Sequence, residues 1–187
     1  SVVGDWAVMA GRTGNVICYN PSQNDLYVHT EEIPEKELTP GEADDAAFIS
    51  RFAPPTTVGE WAVFPPLYGT TILAFNPITR IQQTLDFDPA EFGSYDSRLL
   101  SAPQSNNWFA DAATLELNVT GELKKFAIFS PSEASAPLAY DPEENIYHKF
   151  NNGFPMVYGA SANVNEEFIV QYPSRGDADK GSADDAR

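Results

Sequence analysis

The groups of this chain able to do acid–base, nucleophilic or metal chemistry are two histidines, one cysteine and an excess of carboxylates. His29 and His148 fall just after the tyrosines Tyr27 and Tyr147 of two related segments. A zinc site asks for three or four ligands at definable spacing. No such set appears, so both histidines are expected on strand surfaces. Cys18 lies in the apolar run Val16-Ile17-Cys18-Tyr19 and is expected as a buried thiol acting as a small apolar side chain. With one cysteine an intramolecular disulfide is impossible, and the lack of paired cysteines leans towards a reducing compartment. The carboxylates are so many that sequence singles out no pair at the ~5–10 Å a glycosidase uses. No Gly-x-Ser-x-Gly, Walker loop, dinucleotide fingerprint or His-Glu-x-x-His occurs. No catalytic residue, cofactor or metal is therefore assigned, and the chain is read as a non-enzyme, with a carboxylate-pair hydrolase as a background reading.

Three short motifs have bland explanations. Asp177, Asp179 and Gly181 are spaced like part of a calcium loop, but the third acidic residue before the glycine and the closing Glu are missing. Arg175-Gly176-Asp177 invites an adhesion reading, yet it stands in a polar tail. Asn118-Val119-Thr120 matches a glycosylation acceptor and equally suits a strand end and turn.

The aromatic residues are the strongest lead, because they recur. Residues 4–21, 59–77 and 126–142 carry an aromatic (Trp6, Trp61, Phe126), then Ala and an aliphatic. A loop follows, then an apolar strand ending in Tyr19-Asn20-Pro21, Phe75-Asn76-Pro77 or Tyr140-Asp141-Pro142. A repeat must bury its signature residues against its neighbours, so these positions are expected in the core. The alternative is a row of equivalent glycan-stacking platforms. Trp108-Phe109 and Phe154-Pro155 lie outside the repeat frame and, if exposed, are candidates for a protein–protein interface. Arg175 in the tail is a further interface candidate.

The elements that position these residues are short strands. Each Asn/Asp-Pro step lies between an apolar strand and an alternating one. Pro holds the residue before it extended, and Asn or Asp bonds the turn backbone. Each repeat thus supplies a meander of about three strands. A degenerate fourth copy is expected at 154–173, with Met156-Val157-Tyr158 and Phe168–Pro173 as its strands. Residues 108–117 and 123–129 read as another strand pair, and Pro89 in Asp88-Pro89-Ala90-Glu91-Phe92 suits the first position of a short helix. Glu31–Asp45, with seven acidic residues and one Lys, reads as a solvated loop, with a helical turn placed over 41–48. Residues 174–187 contain nothing apolar larger than Ala and read as a flexible tail or docking segment.

Composition bounds the rest. The chain has 187 residues, 15 Pro and 12 Gly, and 12 Phe, 8 Tyr and 3 Trp to bury, which suits many short elements around a sizeable core. Its net charge of −16 repels nucleic acid and anionic lipid, so neither is expected as a partner. No apolar run approaches the ~20 residues of a helical membrane span. The N-terminal SVVGDW is neither Met nor a signal peptide and is expected to be a processed end, with a targeting segment removed. The fold is expected to be all-β, built from internally repeated antiparallel meanders. Two related sandwich or sheet units, 1–95 and 96–173, are the first expectation, and a propeller-like arrangement is the second.

Two resemblances attach to these residues. The hairpin ending in aromatic–Asn/Asp–Pro resembles the outer hairpin of kelch-type propeller blades, without their paired glycines. The segments Gly4-Asp5-Trp6-Ala7-Val8 and Gly59-Glu60-Trp61-Ala62-Val63, with their Asn-Pro hairpins, resemble the duplicated β-rich regions of diatom pyrenoid shell proteins. The Phe126 copy lacks both Gly and Trp. That second resemblance implies a structural protein that assembles with copies of itself into a sheet, tube or shell lattice in the chloroplast pyrenoid. Duplicated β units favour such assembly through repeated contacts. A carbohydrate-binding repeat module using Trp6 and Trp61 is the alternative, with a glycan as partner.

Overall fold

Alternation of apolar and polar residues, interrupted at each Asn/Asp-Pro and Gly-acidic step, folds the chain into antiparallel meanders. The computed structural model describes residues 1–11, 15–30, 51–67, 69–92, 108–119, 122–132, 134, 136–149, 158–164 and 168–173, with the backbone alone for 118–119, 158–164 and 168–173. Strands β1 (Val2–Val3), β2 (Trp6–Ala10), β3 (Val16–Asn20) and β4 (Asp25–His29) form the first four-stranded sheet in chain order. Strands β5 (Thr56–Val58), β6 (Trp61–Phe64), β7 (Thr71–Asn76) and β8 (Ile81–Asp86) form the second. Strands β9 (Phe109–Val119), β10 (Glu122–Pro131), β11 (Leu138–Asp141) and β12 (Ile146–Lys149) form the third. A hairpin of β13 (Tyr158–Val164) and β14 (Phe168–Pro173) follows. The all-β, repeated-meander expectation holds, with one strand more per repeat than the motif alone shows.

Two turns explain the repeat signature. In the first, Gly4 (φ 55°) and Gly59 (φ 58°) open two-residue hairpins that pair Val3 with Trp6 and Val58 with Trp61. A positive φ at the first central position is the requirement of a type II′ turn, which glycine meets without a Cβ clash. In the second, the Asn or Asp side chain is the turn's internal acceptor. Asn20 Oδ1 accepts from the backbone N–H groups of Ser22 (3.0 Å) and Gln23 (3.2 Å). Asn76 Oδ1 accepts from Ile78 and Thr79 at 2.9 and 3.0 Å. Asp141 Oδ1 accepts from Glu143 and Glu144 at 2.9 and 3.3 Å. The three side chains are buried. Each turn leaves through a left-handed residue, Asn24, Arg80 or Asn145. Asn tolerates that conformation and Arg does so at some cost.

The sheets stack face to face. Val3, Val8, Val16 and Cys18 of the first sheet share a core with Ala62, Phe64, Leu73 and Phe75 of the second. Val58, Val63, Ile72 and Ala74, on the second sheet's other face, share a core with Ala127, Phe129, Leu138 and Tyr140 of the third. All six residues of β7 are buried, because the middle sheet is covered on both sides. The larger core runs from Val58 to Tyr140 and so crosses residue 95. The expected division into units 1–95 and 96–173 is not how the molecule packs: the repeat unit is one sheet, and each sheet shares its core with the next.

The core between the second and third sheets is closed by α1 (Pro89–Phe92). Pro89 stands at its first position as expected, and Asp88 caps it, its Oδ1 accepting from Ala90 N–H at 2.9 Å. Phe92 meets Phe87 and Phe109 edge-on at 5.3 and 5.9 Å. Trp108 and Phe109, the interface candidates of the sequence, are fully buried here against Phe87, each at 5.6 Å. That expectation is corrected: they sit outside the repeat frame because they fill the space under α1. The helical turn placed over 41–48, the solvated loop 31–45 and the tail 174–187 lie outside the described residues.

Two substitutions test the turns. Asn20→Ala should destabilise the fold by about 1–2 kcal/mol, since it strips an acceptor from two turn N–H groups, whereas Asn20→Asp should retain most of the stability. Gly59→Ala should cost about 1–2 kcal/mol through its left-handed backbone, because the added methyl meets only an ordinary contact with Glu143 at 3.7 Å. Urea unfolding of the variants reads both.

Candidate interaction surface

Alternation gives each sheet two faces, and the repeat uses them differently. The face towards the following sheet carries the signature aromatics. Trp6 lies edge-on to Tyr27 at 5.2 Å, and both pack on the core shared with the second sheet. Trp61 packs on the core shared with the third sheet, and its Nε1 donates to Glu143 Oε1 at 3.0 Å. Phe126 is buried with Ile128 and Ala139 on the third sheet's far face, and hairpin β13–β14 lies near β9 and β10. Trp6 and Trp61 are half-buried wedges between sheets. Trp6 is engaged through its edge contact with Tyr27 and Trp61 through its Nε1 bond to Glu143.

The outer strands lock each sheet onto the next at one repeat position. Tyr27 Oη donates to the Pro77 carbonyl at 2.9 Å. Gln83 Nε2 donates to the Pro142 carbonyl and, at 3.4 Å, to Tyr140 Oη. Tyr27 and Gln83 stand at the same distance along the chain from Asn20 and Asn76, and Pro77 and Pro142 are equivalent turn prolines. Pro77 and Pro142 are buried, while Pro21, which no preceding sheet covers, is exposed. At the opposite edge strands, β1, β5 and β9, Thr57 Oγ1 donates to the Val2 carbonyl at 2.7 Å, and Thr114 Oγ1 to the Thr57 carbonyl at 2.6 Å. Tyr147 Oη accepts from Asp88 N–H at 3.1 Å and donates to Glu91 Oε2 at 3.2 Å. Burial pushes the phenols of Tyr27, Tyr140 and Tyr147 up from their ordinary value; Cys18 adds to the effect at Tyr27 and Glu91 at Tyr147.

The face towards the preceding sheet carries a second repeated set. In the second sheet it is Ala62, Phe64, Leu73 and Phe75, and in the third Ala127, Phe129, Leu138 and Tyr140, all buried. Strand pairing assigns the first sheet's equivalents. Ala7 faces Tyr19, as Ala62 faces Phe75 and Ala127 faces Tyr140. Met9 faces Ile17, as Phe64 faces Leu73 and Phe129 faces Leu138. Here, however, Met9 is 49% exposed and Tyr19 36%. Val2 extends the face at one edge, and Leu26 and Val28 extend it at the other, at 66%, 63% and 50% exposure. Among the described residues, the result is an apolar sheet face without a charged side chain, on a chain of net charge −16. The other exposed large apolar residues among those described, Ile78, Ile81, Leu123 and Ile146, stand at turns and strand starts of other sheets.

The remaining sequence candidates fall as follows. Tyr19, Phe75 and Tyr140 are equivalent by register, yet only Phe75 and Tyr140 are core; Tyr19 is corrected from core to exposed surface, because no sheet precedes its own. Cys18 is buried as expected, and desolvation raises its thiol pKa, the neighbouring Tyr27 and Arg80 opposing this in part. His29 packs across the sheet interface on Phe75 of the second sheet at 4.8 Å, and His148 packs on Phe126 of its own sheet at 6.4 Å. Among the described residues no three His, Cys, Asp or Glu converge as metal ligands, and no helix is long and apolar enough to cross a membrane. Phe154 and Arg175 lie outside the described residues, as does Thr120 of the glycosylation motif. Comparison with family models, curated proteins and solved structures finds no match for this chain.

Sequence reasoning missed the open face itself. Its signal was present: Met9, Ile17 and Tyr19 stand where the other copies read Phe64, Leu73, Phe75 and Phe129, Leu138, Tyr140. Only the register shows that these form one face and that this face is bare.

The inter-sheet locks generate two expectations. Tyr27→Phe removes one donor and should cost about 0.5–1.5 kcal/mol. The raised phenol pKa values mean that the native state holds these protons more tightly than the unfolded one. Their contribution to stability is therefore fully present below the ordinary tyrosine pKa of about 10 and is lost as pH rises beyond it. Unfolding midpoints measured from pH 7 to 11 should be unaffected by these groups up to about pH 9 and fall above about pH 10. Ultraviolet titration should show part of the eight tyrosines ionising only as the fold opens.

Proposed function

We propose that this chain is a non-enzymatic structural protein that works by association through its β-sheets, with copies of itself as its partners. The observation that carries the reading is the first sheet's outer face. It presents, open to water, the residue positions that the repeat buries in every other sheet. Burial of a large aliphatic or aromatic side chain stabilises by about 1.5–3 kcal/mol, and contiguous exposed apolar surface on a soluble protein marks an interaction site. The polar groups between sheets support the same reading, since Tyr27, Gln83, Trp61 and Tyr147 are engaged in holding one sheet to the next.

The finer form of the proposal is a building block of a protein shell in the chloroplast pyrenoid, as the likeness of the Gly4-Asp5-Trp6 and Gly59-Glu60-Trp61 segments implies. The structure gives those segments a turn-forming reason that any hairpin repeat shares, so self-association is the part supported by geometry.

Light scattering across a concentration and salt series, with negative-stain imaging of the same samples, tests the proposal. Mass that rises with concentration, and ordered oligomers in the images, are expected. A mass equal to one chain at every concentration and salt would overturn it.

A further inference from the structure

We infer that the open face of the first sheet is a two-fold interface, in which Met9, Ile17, Tyr19, Leu26 and Val28 pack against the same residues of a second copy. The inference rests on the proposed self-association and adds its geometry. Every other sheet-to-sheet contact in the molecule is of one kind, a forward face carrying the signature aromatic laid on the backward face of the next sheet. If a copy offered a free forward face, copies would stack head to tail without limit. None is free among the described residues. The forward faces of the first two sheets are covered by the second and third. On the third, Phe126, Ile128 and Ala139 are already buried. The apolar sheet face that a second copy can present is therefore the same one, and a face that meets itself closes as a two-fold dimer.

Charge selects the same partner. Two chains of net charge −16 repel one another over most approaches. Among the described residues no side chain on this face is charged, so contact between them brings no ionised group into a dry interface. Two sheet faces can pack at about 10 Å with side chains interleaved. Faces of this size bury on the order of 1,000 Å² in total, at the small end of specific interfaces. The dimer is accordingly expected at micromolar concentrations or above. A lattice of the proposed kind would then use dimers as its units and grow through other surfaces.

Sedimentation equilibrium of the full chain tests this, together with a Met9→Glu, Val28→Glu double variant and single Ala7→Cys, Met9→Cys, Ile17→Cys and Tyr19→Cys variants. A monomer–dimer equilibrium is expected for the wild type, tightening as salt rises from about 0.01 to 0.5 M because screening relieves the repulsion between copies. The double Glu variant should bind at least about 100-fold more weakly, since like charges would face each other in the interface. At concentrations low enough that the wild type is monomeric, its melting temperature should match the wild type's, because both positions are exposed in the single chain; at higher concentrations only the wild type should gain stability from dimerisation. At least one cysteine near the two-fold axis should give a covalent dimer, while Cys18, being buried, should not. Higher oligomers or filaments that the Glu variant leaves intact would overturn the two-fold geometry and leave self-association standing. A strict monomer would overturn both.

Discussion

A β-sheet that is apolar on both faces has to be covered on both. That constraint organises this molecule. The second sheet meets it on both sides of its central strand, with every residue of β7 buried. The third is covered by the second sheet on one side, and Phe126, Ile128 and Ala139 are buried on the other. The first sheet meets it on one side only. Its inner residues Val3, Val8, Val16 and Cys18 are fully buried, while the opposite face stands open. The hydrophobic effect acts in proportion to apolar area left in water, so a sheet built to be covered and left bare is a standing drive towards association.

Hydrogen bonds set the register of the stack, and apolar burial supplies its cohesion. The buried Asn or Asp of each outer turn fixes the loop, and the loop then offers the carbonyl of its proline to the neighbouring sheet. A single repeat position, occupied by Tyr27 in one sheet and Gln83 in the next, serves this carbonyl. The two side chains share little beyond reach and a donor, which is why the equivalence is invisible to residue type. The ring contacts of Trp6 and Phe126 add edge-on aromatic packing, and Trp61 adds its bond to Glu143.

Much of the fold was legible in the sequence. The all-β class, the meanders, the Asn/Asp-Pro turns, the short helix after Asp88 and the burial of Cys18 all follow from local rules, and the structure agrees with each. The packing was less legible. Trp108 and Phe109 read as surface candidates because they break the repeat, but they break it to fill the core beneath α1. Tyr19 reads as core because its equivalents Phe75 and Tyr140 are, yet burial depends on having a neighbour and not on the residue. The Gly-acidic-Trp segments read as a family likeness, while a two-residue type II′ turn asks for that glycine in any case. The open face needed the strand register, because alternation alone tells that a residue changes side and not what lies on that side.

The central claim is that the first sheet's outer face becomes covered when copies meet. Oxidation of Met9 by peroxide, followed by mass spectrometry as protein concentration is raised, tests it most directly, since sulfoxide formation requires an accessible sulfur. The account predicts a Met9 rate that falls as concentration rises through the micromolar range, with the denatured chain insensitive to concentration. A Met9 rate that is fast and independent of concentration would contradict it.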